Sequence, residues 1–207
     1  IGKLKNEFGL SEIEFKKQYN SANKLVKSQL NKTASAHNKF LYFKIILENL
    51  QFSPYINIAL ELDNLYWETF LDHIKPFNNL VNFLEQLRIM SINVGLISNF
   101  QAVYQFRKVI NLSINDYVDC LVSSEEVGIN KPNEVIFKKI MNIMNFKENE
   151  SWMIGNSVSQ DIIPSKKIMH SKTFLIETTD RFDNKNKFID FAFKDYKFML
   201  DKISKFK

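Results

Sequence analysis

The amino-acid sequence predicts a parallel α/β fold that follows an all-helical first segment. Four apolar runs of strand length occur in the second part of the chain, and helix-length patterns separate them. Two of these runs end abruptly in small polar residues, at Ser98 and at Asn156, as buried parallel strands do where they deliver a ligand site. Residues 1–74 carry helix-length patterns and almost no strand signal.

Three helices are predicted in the first segment. Ser11 and Glu14 have the spacing of a capping box, and apolar residues at helical spacing follow them. The same period recurs over residues 35–50 and 54–71, which predicts a second and a third helix. Because Pro76 then interrupts the helical pattern, a domain boundary is expected next to it.

Strands and helices are predicted to alternate beyond that boundary. The predicted strands are 92–98, 118–123, 151–156 and 172–177, and the predicted helices are 78–90, 100–111, 132–144 and 162–169. Such alternation is typical of right-handed βαβ units with parallel strands. The sequence therefore predicts two domains, an all-helical one in residues 1–74 and a three-layer αβα core in residues 75–207.

The composition excludes several classes of protein. The 207 residues include 45% hydrophobic residues and 19 Phe, which is enough for a packed core. The single cysteine, Cys120, excludes a disulfide framework and a Cys-based zinc site, and it fits a reducing cytoplasm. We therefore expect a cytoplasmic protein.

The net charge of +5 does not indicate a nucleic-acid partner. The positive side chains are lysines except for Arg88, Arg107 and Arg181, and they form no basic stripe. Arginine is the residue most used for contacts with bases and phosphates of nucleic acids. No apolar run approaches the ~20 residues of a membrane span, so we expect no membrane partner either. The sequence does not indicate an oligomeric state.

Two polar segments at predicted strand and helix boundaries suit an anionic ligand. Ser98 ends an apolar strand, and Asn99 can cap the predicted helix behind it, whose free N–H groups and the Ser98 hydroxyl could bind an anion. Lys131 precedes Pro132, which stands at the favoured first position of a predicted helix. A lysine there is unfavourable for the helix dipole, and this cost suggests a negatively charged partner.

A third polar segment suits a hard metal ion. Asn156 and Asp161 follow the predicted strand 151–156 and lie five residues apart across a tight turn. One amide oxygen and one carboxylate, completed by water and phosphate, can satisfy octahedral Mg²⁺.

Together these segments resemble the motifs of the haloacid dehalogenase-like hydrolase superfamily over nearly the whole chain. The second, third and fourth motifs are matched by Leu96-Ile97-Ser98-Asn99, by Gly128-Ile129-Asn130-Lys131-Pro132, and by Met153-Ile154-Gly155-Asn156-Ser157 with Asp161. The resemblance implies a Rossmann-like core, with residues 1–74 in the place of an all-helical cap domain. It also implies a Mg²⁺-dependent phosphatase that acts on a small phosphorylated metabolite through an aspartyl-phosphate intermediate.

The resemblance also implies roles for five residues. Ser98 and the backbone amide of Asn99 would bind a phosphoryl oxygen, and Lys131 would offset charge on the nucleophile and on the transferring group. Asn156 and Asp161 would serve the Mg²⁺ ion. Asn156 stands where aspartate is more frequent, so we expect weaker metal binding than usual.

The family's first motif, an aspartate pair after an apolar strand that supplies the nucleophile, is not found. It is expected ahead of Ile1, so we expect this chain to be an inactive, N-terminally incomplete copy. The segment Glu61–Tyr66 echoes the motif, but its first carboxylate is a glutamate and its residues also fit a helix. Two alternatives remain open: a 2-haloacid dehalogenase, which needs no metal, and a catalytically inactive phosphate-binding or regulatory module.

Overall fold

The computed structural model describes residues 9–177 and 186–203. The chain divides into two compact units, Ile1–His73 and Ile74–Lys207. The first is called the helical unit and the second the α/β unit. In the described part of the chain, no helix is both long and apolar enough to cross a membrane.

The described part of the helical unit contains three α-helices and one 3₁₀ turn. They are α1 (Glu12–Gln29), the turn Ala34–His37, α2 (Lys39–Asn49) and α3 (Ile56–His73). The predicted capping box is confirmed, because the Ser11 hydroxyl accepts from Glu14 N at 3.2 Å and Ser11 N donates to the Glu14 carboxylate at 3.0 Å. Apolar faces of all three helices form the core of the unit, which includes the buried residues Ala22, Val26, Tyr42, Phe43, Ile46, Leu47, Ala59 and Leu62.

The second predicted helix, residues 35–50, is wrong at its start. Residues 34–37 form a 3₁₀ turn, and α2 begins only at Lys39 because the Asn38 side chain accepts from Leu41 N at 3.4 Å and caps the helix there.

The third helix is confirmed, two residues further along the chain than predicted. Glu61 and Asp63 both lie within α3, so the segment that echoes the first motif is helical and follows no strand.

Strands and helices alternate in the α/β unit, as predicted. The strands are β1 (Gly95–Ser98), β2 (Cys120–Ser123), β3 (Trp152–Gly155), β4 (Lys172–Ile176) and β5 (Phe191–Phe193). The α-helices are α4 (Leu80–Ile89), α5 (Ala102–Asn111), α6 (Ser124–Val127), α7 (Glu134–Met144), α8 (Ile163–Ile168) and α9 (Tyr196–Ile203). A 3₁₀ turn at Asn115–Tyr117 and a π-helical turn at Val158–Ile162 complete the described elements. The sequence reasoning missed α6, β5 and α9.

All described strand pairs are parallel, but they form two sheets. One sheet has the order β1-β2 and the other has the order β3-β4-β5. In the first sheet Ser98 lies opposite Ser123, and in the second Gly155 lies opposite Leu175. In the described residues, therefore, β1 and β3 each have one edge without a pairing strand.

Two apolar layers join these sheets from opposite sides. One cluster places Val94, just before β1, and Ile154 of β3 against buried side chains of α4 and α9. The other cluster places Ile97 of β1 and Met153 of β3 against buried side chains of α7. Since both clusters contain residues next to or within β1 and β3, the two sheets belong to one core with α-helices on both faces.

Hydrogen bonds to Asp190 link the start of β4 to the chain segment before β5. The Asp190 carboxylate accepts from Lys166 Nζ at 2.6 Å and from Thr173 N at 2.8 Å. Burial raises the pKa of Asp190, but the hydrogen bonds from Lys166 and Thr173 lower it by more, so this pKa lies below the usual value for aspartate.

Candidate active site

The candidate site lies at the carboxyl ends of β1 and β3. Ser98 is the last residue of β1 and is half-buried. The prediction that Asn99 caps the following helix is wrong, because α5 has Gln101 at its N-cap position and the Asn99 side chain points to Lys131 instead. The first N–H of α5, that of Ala102, donates to Glu125 Oε2 at 2.9 Å. A protein carboxylate thus already occupies part of the helix start that was predicted to bind an anion.

Lys131 contacts both sides of the site. Its ammonium nitrogen Nζ donates to the backbone oxygen of Ile97 at 3.1 Å and to Asp161 Oδ1 at 2.6 Å. The side chains of Lys131 and Asp161 are 10% and 6% exposed, so this is a buried ion pair.

The prediction that a helix starts at Pro132 is wrong. Helix α7 begins at Glu134, because the Asn133 side chain accepts from Val135 N at 3.0 Å and caps the helix. Lys131 therefore lies in the loop between α6 and α7 and is held there by its own contacts.

Asp161 lies in the π-helical turn that follows β3. Its Oδ2 accepts from Ser157 N at 3.0 Å, and its backbone N–H donates to Ser157 O at 2.9 Å. The turn packs closely on the strand, since a Cβ atom added to Gly155 would lie 2.5 Å from the Asp161 Cβ. Glycine at position 155 is therefore what allows the Asp161 carboxylate to reach Lys131.

Asn156 and Asp161 suit Mg²⁺ by the chemistry of their donors. Asn156 is exposed directly after β3, and its side chain makes no hydrogen bond to the residues that the structure describes. Each Asp161 oxygen accepts one hydrogen bond and keeps a further lone pair. No three His, Cys, Asp or Glu residues of the described chain cluster around a metal position, so water and phosphate would supply the remaining ligands. The residues present thus fit Mg²⁺ as two oxygen donors.

The structure brings some of the predicted residues into direct contact and leaves others adjacent. Asn99, Lys131 and Asp161 form one hydrogen-bonded group. Ser98 lies between Ile97, whose carbonyl holds the ammonium, and Asn99, but its hydroxyl makes no hydrogen bond to described residues.

Sequence reasoning missed two further residues at this site. Gln160 Oε1 accepts from Asn99 Nδ2 at 3.4 Å, and Glu125 caps α5. Gln160 lies inside the π-helical turn and Glu125 belongs to a short helix that was not predicted, so neither carries a local signal. Only their contacts with residues far away in the sequence reveal them.

Comparison with known proteins identifies the family. The profile of haloacid dehalogenase-like hydrolases matches residues 6–174, which is most of the chain. The chain therefore belongs to the haloacid dehalogenase-like hydrolase family. The fold class predicted from the sequence, a Rossmann-like α/β core with an all-helical cap domain, is confirmed.

Individual relatives are phosphatases by name. The chain is 30% identical over 148 residues to the ribulose-1,5-bisphosphate 5-phosphatase of Halopiger xanaduensis, which covers 72% of this chain and 62% of that protein. It is 37% identical over 90 residues to the glyceraldehyde 3-phosphate phosphatase of Methanothermobacter thermautotrophicus, covering 44% of this chain and 40% of that protein. The crystal structure of a HAD phosphatase from Thermococcus onnurineus has a TM-score of 0.69 at 18% identity and covers 98% of this chain and 85% of that one. The matches thus span less than two thirds of the length of these two curated relatives.

Proposed function

We propose that this chain is the cap and core part of a phosphatase that hydrolyses a small phosphorylated metabolite, and that its substrate is a phosphorylated sugar. The observation that carries the proposal is the buried Lys131–Asp161 pair at the carboxyl ends of β1 and β3. A lysine fixed at this edge of a parallel sheet suits the charge that develops on a transferring phosphoryl group. Two relatives named as sugar-phosphate phosphatases support the substrate class.

The proposed roles divide the site between phosphate and metal. The Ser98 hydroxyl and the Asn99 backbone amide donate to a phosphoryl oxygen, and the Lys131 ammonium offsets the negative charge of that group. The oxygens of Asn156 and Asp161 hold Mg²⁺, which supplies a further positive charge next to the phosphate when it is bound. The cap domain in this proposal is residues 1–74, which comprise the helical unit and the one residue after it.

We further propose that the nucleophile is an aspartate on a strand outside the described residues. We place this strand between β1 and β3, because each has one edge without a pairing strand in the described chain and apolar layers cover both faces. Its carboxylate oxygen attacks phosphorus, and the bond from phosphorus to the substrate oxygen breaks while that oxygen takes a proton from the second carboxyl group of the expected aspartate pair. Water, which gives a proton back to that carboxylate, then hydrolyses the acyl phosphate and releases inorganic phosphate and the free aspartate. Glu61 and Asp63 cannot take this role in the same way because they lie on α3.

The test compares this 207-residue chain with a version extended through the codons that precede it in the native gene. Phosphate release from p-nitrophenyl phosphate is measured with and without Mg²⁺. We expect Mg²⁺-dependent release from the extended version only, and a fall of about 100-fold or more in Lys131→Ala. Lys138→Ala is the matched control, since Lys138 forms an exposed pair with Glu134 and should leave the activity unchanged.

Three other outcomes would contradict parts of the proposal. Activity in the short chain would refute the external nucleophile. Full activity of Lys131→Ala would refute the role of this lysine. If neither version releases phosphate but both bind inorganic phosphate, the protein is a phosphate-binding module rather than an enzyme.

A panel of triose to pentose phosphates tests the substrate class. We expect a higher kcat/KM for at least one of these sugar phosphates than for p-nitrophenyl phosphate.

A further inference from the structure

The Asn99 side chain holds both polar backbone groups of Lys131. Asn99 Oδ1 accepts from Lys131 N at 2.6 Å, and Asn99 Nδ2 donates to Lys131 O at 3.1 Å, across 32 residues of sequence. The same Nδ2 also donates to Gln160 Oε1 at 3.4 Å. One amide group at the end of β1 therefore links the Lys131 loop to the turn after β3.

We propose that Asn99 is a positioning residue that fixes Lys131 for the reaction. This proposal rests on the proposed function, in which the Lys131 ammonium faces the phosphoryl group. Lys131 lies outside helices and strands, in the loop between α6 and α7, so no regular hydrogen-bond ladder holds its backbone. Asn99 supplies this anchor at one end of the residue, while Ile97 O and Asp161 hold the ammonium at the other end.

A carboxamide is the side chain that this geometry requires. It offers one acceptor to the Lys131 N–H and a donor to the Lys131 carbonyl, whereas an aspartate offers acceptors only. Asn99→Asp is nearly identical in shape, but it places a carboxylate oxygen against the Lys131 carbonyl, which can only accept hydrogen bonds. The backbone amide of residue 99, which the proposed function assigns to phosphate, is retained in this variant.

The first test measures the exposure of the Lys131 ammonium directly, with no need for activity. The 207-residue chain is treated with an amine-acetylating reagent, and modification rates of individual lysines are read by peptide mass spectrometry. We expect Lys131 to react at least about tenfold faster in Asn99→Asp than in the unchanged chain, because its loop opens more often. Lys166, bound to Asp190, is the internal reference and should not change.

The proposal would be overturned if Lys131 were acetylated at the same rate in Asn99→Asp as in the unchanged chain while the rate of Lys166 also stayed the same. If Lys166 and other protected lysines also react faster, the variant has lost its fold. Asn99→Ser then replaces it, because serine is uncharged and polar but too short to bond to both backbone groups of Lys131. The same tenfold criterion applies to the ratio of the Lys131 and Lys166 rates.

The second test uses the extended version, to which the proposed function assigns the activity. Asn99→Asp should lower kcat by about 10–100-fold with a smaller change in KM, since a misplaced catalytic group weakens the transition state more than the bound substrate. In a Lys131→Ala background the same substitution should have no further effect on kcat, because Asn99 acts through Lys131. Equal effects in both backgrounds would refute this. If no version has activity but the labelling result holds, the positioning role stands and the proposed function fails.

Discussion

Removing one partner of the Lys131–Asp161 pair should destabilise the α/β unit more than removal of any exposed ion pair. In Lys131→Ala, the Asp161 carboxylate, whose side chain is 6% exposed, loses the Lys131 ammonium that lies 2.6 Å from its Oδ1. It keeps the hydrogen bond that Ser157 N donates to its Oδ2 at 3.0 Å. Breaking a buried pair from one side costs about 3–5 kcal/mol. Because one hydrogen bond to the carboxylate survives, we expect a loss near the lower limit, about 3 kcal/mol of the free energy of unfolding.

A double-mutant cycle separates this effect from simple truncation. Asp161→Asn leaves the ammonium with the Ile97 carbonyl at 3.1 Å, and we expect a similar loss of about 3 kcal/mol. Lys131→Ala with Asp161→Asn leaves no buried charge, so the double variant should also lose about 3 kcal/mol rather than the sum of the two single losses. Lys138→Ala is the control, because Lys138 and Glu134 are each 57% exposed and such a pair contributes about 0.5 kcal/mol.

Urea unfolding of the 207-residue chain at neutral pH measures these losses, with circular dichroism for the whole chain. In a Trp67→Phe background, which removes the tryptophan of the helical unit, the fluorescence of Trp152 in β3 reports on the α/β unit. Additive single losses would refute the coupling. A loss in Lys131→Ala no larger than that in Lys138→Ala would refute the buried pair itself.

Three further substitutions test other parts of the structure. Gly155→Ala should cost about 1–3 kcal/mol in urea unfolding, because the new Cβ would lie 2.5 Å from Asp161 Cβ; an unchanged midpoint would contradict this contact. Asp190→Asn should cost about 1–2 kcal/mol at neutral pH, since the pKa of Asp190 is lowered in the folded state. Stability from a lowered carboxyl pKa is present above the unfolded value of about 3.9 and is lost as the pH falls through the folded value, so the two stability curves should converge at acid pH. Ser11→Ala should cost about 1 kcal/mol in thermal unfolding of the helical unit, and Ser11→Thr, which keeps the hydroxyl that accepts from Glu14 N and donates to the Glu14 carboxylate, should retain the stability.

The sequence predicted correctly those elements that depend on interactions between residues close together in the chain. The Ser11 capping box and the run that ends at Ser98 were found correctly because both depend on residues close in sequence. The strand Phe191–Phe193 has three residues and only its pairing with β4 defines it, so no periodic pattern could indicate it.

The proximity of three motif residues was predictable from the sequence, but their contacts were not. Motif spacing identified Asn99, Lys131 and Asp161, and all three lie together. Spacing could not show that the Asn99 amide bonds to a residue 32 positions away rather than to its own helix. Asn99 can cap a helix or hold a distant loop with the same polar atoms, and only the packed structure decides between these uses.

Lys131 makes hydrogen bonds at the ends of both sheets. Its backbone is tied to the end of β1 through Asn99, and its ammonium is tied to Asp161 beyond β3. A parallel strand placed between β1 and β3 would end at the same edge, and a carboxylate at that end would meet an ammonium that is already oriented. A second carboxylate there would be stabilised by the lysine, and the lysine would then offset the charge of both acids. The proposed nucleophile is therefore best sought at the end of such a strand, because the fixed charge that an aspartate needs is already held there.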